Sequence, residues 1–126
     1  MFVPQAVDGR DQEGVREVQL TKVTKKIESS MANAYAKSGI AKLDKNDFAG
    51  ARKDFNEALY LDDNSKSARE GLKAISTKAQ AVYWEAFGMK ETNKAKAVRT
   101  LEMLMKNLLP TDEIYLKSMM LLEELK

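Results

Sequence analysis

Between Pro4 and Pro110 the chain contains no proline. Proline is the residue that both removes a backbone donor and clashes with the preceding helical turn, so nothing in that long span stops a helix outright. Ala, Leu, Lys, Glu and Met dominate, and no alternation of apolar and polar side chains with a period of two persists. The expected fold is all-α. With 126 residues, 44% of them hydrophobic and 32% charged, the chain suits one domain with a modest core.

The pattern divides the chain into elements. Pro4, Gly9 and Gly14 predict an irregular start over residues 1–12. Val15, Val18, Val23, Ile27, Met31, Ala34 and Tyr35 recur at spacings of three to five, which predicts a helix with one apolar side. That helix occupies 13–30, and either bends near Glu28–Ser30 or runs on to Asp44. Lys45–Asn46 reads as a turn, and Asp47 as the N-cap of a helix reaching about Leu61. Asp62–Asp63–Asn64 is the next turn, with Asn64 or Ser65 capping a long segment through Ala68, Leu72, Ile75, Ala79, Val82 and Ala86. Glu91–Thr92–Asn93 interrupts it before a helix from Lys94 to about Asn107. After Pro110, Thr111 is the expected cap of a closing helix, with Asp112 and Glu113 in the first turn, where the helix dipole favours negative charge. Helices separated by short turns predict antiparallel pairs packed side by side.

Residues 31–64, ending in DFAGARKDFNEALYLDDN, resemble a tetratricopeptide repeat, a family that pairs two helices within about 34 residues. Tyr35 matches the large residue of its first helix and Gly39 the small residue where the two helices cross. Phe48, Ala51, Phe55 and Ala58 match the aromatic and small positions of its second helix. Asn46, Asp63 and Lys42 depart from the family, which often has Gly, Pro and an aromatic there. Residues 65–110 resemble a second, degenerate copy, in which Ala97, Leu101 and Leu104 repeat the spacing of Ala51, Phe55 and Ala58. Residues 111–126 resemble the closing helix of such arrays. More loosely, Ala79–Leu125 is similar to the helical repeat regions attached to forkhead-associated domains in bacterial signalling proteins. The resemblance implies a short solenoid of stacked hairpins with an N-terminal helix and a closing helix.

Composition narrows the chemistry. The chain has no cysteine and no histidine, so disulfides, thiol nucleophiles and the commonest general base and metal ligand are missing. Asp62–Asp63, Asp112–Glu113 and Glu123–Glu124 are adjacent pairs that diverge by about 100° per residue on a helix. Gly39, Gly50, Gly71 and Gly88 are isolated and form no phosphate loop. No catalytic, cofactor or metal site is expected. A net charge of +2 argues against nucleic acid as the partner. Lys22, Lys25 and Lys26 form the densest basic cluster, which reads as a solvated face rather than a docking site for an acidic partner, and lacks interleaved aromatics. No stretch is apolar enough to span a bilayer, and the opening residues carry no signal-peptide pattern, so the expected location is cytoplasmic, with a piece of a larger, membrane-attached protein as the alternative.

In the resembled family the first helices of successive pairs line a groove for a peptide or helix. That places Asn33, Lys37 and Ile40, with Ala36 and Lys42–Leu43, on or near the groove in the first pair. Gln80, Tyr83, Phe87 and Lys90 follow in the second. Ala36 and Ile40 stand where the family's chaperone-tail readers clamp a carboxylate, so that clamp is not expected. Tyr83 and Phe87 fit a groove or a core equally well. The closing helix is apolar around most of its circumference, through Ile114, Leu116, Met119, Met120, Leu121, Leu122 and Leu125. It either inserts deeply or packs on another chain. The expected function is a non-catalytic scaffold or adaptor that binds a protein or peptide, in a bacterial multiprotein assembly. The alternatives are a module that self-associates through its C-terminal helix, and a regulatory part of an enzyme.

Overall fold

The computed structural model describes the backbone over residues 3–126 and the side chains from residue 21 onward. The described residues form five helices and no strand: α1 Val3–Asp44, α2 Phe48–Leu61, α3 Lys66–Gly88, α4 Lys94–Asn107 and α5 Glu113–Leu125. The fold is all-α, as the missing proline and the helix-forming composition require.

The start differs from the expectation. Instead of an irregular stretch over 1–12 and a helix from residue 13, α1 begins at Val3 and continues unbroken to Asp44. Pro4 falls in the first turn, where a missing N–H has no intrahelical partner to lose. Gly9 and Gly14 each cost a helix about 1 kcal/mol and do not end it. Of the two paths considered beyond Ser30, the continuous one is adopted.

Each boundary has a local cause. Asn46 holds a positive φ of 62°, the left-handed conformation that Asn adopts more readily than most side chains. Asp47 then caps α2 by accepting the Gly50 N–H at 2.9 Å. Ser65, not Asn64, caps α3 by accepting from the Ala68 N–H. Asn93 caps α4 through the Lys96 N–H. At α5 the cap position is Asp112 rather than Thr111, and its carboxylate makes no cap bond. It turns outward, accepting from the Leu109 N–H at 2.7 Å and from Arg52 at 3.0 Å.

α1 packs on α2 and α3, α2 on α3, and α4 on both α3 and α5. α3 also touches α5, and so packs against both the first hairpin, α1–α2, and the second, α4–α5. It has 23 residues against 14 in each of α2 and α4, and the two hairpins use different parts of it. Gly71 meets Phe55 of α2, and Lys78 donates to the Leu43 carbonyl of α1 at 2.8 Å. Further along, Trp84 meets Lys117 of α5.

Phe55 organises the first hairpin. A Cβ placed on Gly39 would stand 2.6 Å from its ring, and one on Gly71 2.4 Å. The ring therefore fills the space left by two missing side chains, one on α1 and one on α3. Phe48, Ala51 and Ala58 complete a fully buried face of α2. In the second hairpin Ala97, Leu101 and Leu104 are equally buried, and α5 inserts Ile114, Leu121, Leu122 and Leu125 into the same core.

Candidate functional site

The one buried charged side chain among the described residues, Asp54, is structural in its surroundings. Asp54, buried on α2, accepts from the Ser38 hydroxyl at 2.6 Å and from the Lys42 ammonium at 2.9 Å, both on α1. Burial pushes the Asp54 carboxyl up, but the bonds from Ser38 and Lys42 outweigh it and leave it below the usual carboxylate value. The hydrogen bond to Asp54 holds Lys42 above its ordinary value. The group cross-links α1 and α2. Among the described residues no cluster of His, Cys, Asp and Glu could hold a metal ion. No described helix is long and apolar enough to cross a membrane.

The aromatic face of α3 is different. Tyr83, Trp84 and Phe87 form a contiguous cluster, with Trp84 edge-on to Tyr83 at 5.1 Å and to Phe87 at 5.2 Å between ring centres. Tyr83 is only 7% exposed, whereas Phe87 is 36% and Trp84 54% exposed. The cluster thus has a buried root and an open rim. Cations lie over both rim rings: the Lys90 ammonium is 4.2 Å from the Phe87 centre, and that of Lys117 is 5.9 Å from Trp84. Lys117 also pairs with Glu113 at 3.3 Å, while Lys90 has no carboxylate partner among the described residues.

The residues named from the sequence divide accordingly. Phe87 and Lys90 stand together at the rim. Tyr83 resolves on the core side of its two readings, so it is not an open groove residue. Gln80 is exposed and lines a neighbouring cleft of about 190 Å³ with Arg52, Ser76, Leu108 and Asp112. On α1, Asn33, Lys37 and Ile40 are exposed, but Ala36 and Leu43 are buried in the core. No described contact joins the α1 set to the α3 set. Lys78 faces α1 while Gln80, two residues on, faces the other flank, because two helical residues diverge by about 200°.

Trp84 is the residue that the spacing rule missed. A stripe built on Tyr83 and Phe87 excludes position 84 by one residue, and lone periodicity cannot say which of three neighbouring aromatics stays outside. The signal was present in the density of large side chains. Three aromatics within five residues exceed what one core-facing stripe of a helix absorbs.

A second exposed apolar surface lies on α5, where Leu116 is 47% and Met120 67% exposed. One side of the closing helix thus inserts into the core, while Leu116 and Met120 on the other side are exposed. No family model, curated protein or solved structure matches the chain.

Proposed function

We propose that this chain is a non-catalytic, tetratricopeptide-like scaffold that binds a protein or peptide partner on the open aromatic flank of α3. The observation that carries the reading is the exposed Trp84–Phe87 rim mounted on buried Tyr83. Large aromatics anchored on a rigid helix give contact area at little cost in conformational entropy, which is what recognition hot spots require. α3 is held by four other helices, so the rim is presented by a fixed platform rather than a loop. Asn33, Lys37 and Ile40 form a separate exposed patch on α1, available to a partner that wraps further round the domain.

The test is selection of random displayed peptides on the immobilised chain, repeated with a Trp84→Ala, Phe87→Ala variant. Clones retained by the native chain and lost by a folded variant support the reading. Clones that bind both forms equally remove the aromatic rim from the site.

Leu116 and Met120 favour a second reading, self-association through α5. Sedimentation at rising concentration, with and without Met120→Glu, tests it. A monomer throughout excludes this reading.

A further inference from the structure

Resting on the proposed binding role of the α3 rim, we infer that its occupant is an acidic peptide carrying an apolar anchor. The argument is one of charge complementarity around an apolar centre. Trp84 and Phe87 provide the apolar contact, and each ring already has an ammonium against it. Those ammoniums are differently placed electrostatically. Lys117 is shared with Glu113, but Lys90 has no carboxylate partner among the described residues. Lys94 and Lys96 follow on the first turn of α4, with Arg99 beyond, and none of these is paired there either. From residue 84 to residue 99 the sequence carries four cations, Lys90, Lys94, Lys96 and Arg99, and two anions, Glu85 and Glu91. At the rings themselves two ammoniums, Lys90 and Lys117, stand with one paired carboxylate, Glu113, so positive charge is in excess there, although the chain as a whole is close to neutral at +2.

A carboxylate arriving beside the rings meets Lys90, which rests on the Phe87 ring, without competing with an internal carboxylate. The apolar anchor settles against Trp84 and Phe87 and excludes water from the pair, which strengthens it. A single-stranded nucleic acid is the weaker fit. Bases stack on open aromatic faces, and here the two rim rings meet edge to face at 68° with cations over them. A cationic peptide would meet like charge.

The experiment uses the same displayed-peptide selection and one property of the sequence: Trp84 is the single tryptophan, so its emission reports the site alone. Clones that depend on Trp84 should be enriched in Asp and Glu flanking an aromatic or long aliphatic residue. Synthesised, the leading clone should shift Trp84 emission saturably. Its affinity should fall about tenfold or more when each of its Asp and Glu residues is replaced by Asn or Gln. Lys90→Glu should weaken the acidic peptide by a similar factor and leave the amide version unchanged. Lys90→Gln, with circular dichroism and melting as controls, keeps the test valid should the charge reversal perturb the turn.

Trp84-dependent clones without acidic bias, or an amide peptide binding as tightly as the acidic one, overturn the inference and leave the scaffold reading standing. Oligothymidylate binding tighter than every selected peptide overturns it in favour of nucleic acid. No Trp84-dependent clone of any composition overturns both.

Discussion

At the residue scale, the first hairpin depends on two side chains that are not there. Gly39 and Gly71 leave the space that the Phe55 ring occupies from both sides. Alanine would raise intrinsic helix propensity at either position by about 1 kcal/mol. It would also place a methyl group well inside contact distance of a ring with no room to retreat, and overpacking of that kind costs about 1–3 kcal/mol. The steric term wins, so Gly39→Ala and Gly71→Ala should each lower stability in denaturant titrations. Because both act on one ring, Phe55→Leu should partly rescue either, and the two effects should not add. Additive losses with no rescue would mean that the helices move apart instead of the ring being displaced. The same scale shows what the sequence could and could not disclose. Gly39 was legible through the small position that the resembled repeat has where its helices cross, whereas Gly71 was not, because its reason lies on α2, sixteen residues back and across a turn. Tyr83 and Phe87 share a spacing but not a fate, since burial depends on where α4 and α5 cross α3. Tyr83→Ala should therefore destabilise the fold by about 3 kcal/mol, near the lower end for a buried aromatic. Trp84→Ala should change melting little, and a large loss there would place the tryptophan in the core.

At the element scale, caps and turns follow from local chemistry and were largely readable: Asp47, Ser65 and the limits of α4 fall where the residue types demand. The cap of α5 was misread because Asp112 is recruited by Arg52, a residue sixty positions away. The extent of α1 departs from the expected start because a helix tolerates proline in its first turn, so Pro4 and the nearby glycines do not act as breakers. The α1–α2 pair carries a pH dependence of defined sign. Asp54 is held below its ordinary value of 3.8, so its share of stability is present above that pH and is lost as pH falls through the folded value. Lys42 is held above 10.5, so its share is complete below that pH and is lost as pH rises through the folded value. Melting temperature should be level between these limits and fall on both sides. Asp54→Asn should lower stability at neutral pH by about 1–3 kcal/mol, the range for a hydrogen bond to a charged group, and should flatten the acid limb. An unchanged acid limb in that variant would assign acid sensitivity to other carboxylates.

At the scale of the whole molecule, α3 makes one body of two hairpins, and the question is whether anything besides α3 couples them. Arg52 on α2 reaches Asp112 at 3.0 Å, just before α5, spanning the cleft that Gln80 also lines. It is the one ion pair between α2 and the second hairpin among the described residues. Both side chains are partly shielded, which lifts the pair above a freely exposed one, whose median worth is 0–1 kcal/mol. Asp112 also accepts from the Leu109 N–H and so fixes the α4–α5 connection while it holds Arg52. A double-mutant cycle should use Arg52→Met and Asp112→Asn, because Met keeps the aliphatic stem and Asn keeps an acceptor for Leu109. The expected coupling is about 1 kcal/mol, shrinking as salt is raised because the pair is only partly buried. Amide exchange adds a regional readout. In Arg52→Met, protection should drop around residues 108–116, in the second hairpin, more than within α2 itself, because the loop loses an anchor while α2 keeps its buried face of Phe48, Ala51, Phe55 and Ala58. Zero coupling with unchanged exchange in the loop would leave the continuous core along α3 as the sole connection. The aromatic rim would then sit on a platform whose two ends open independently.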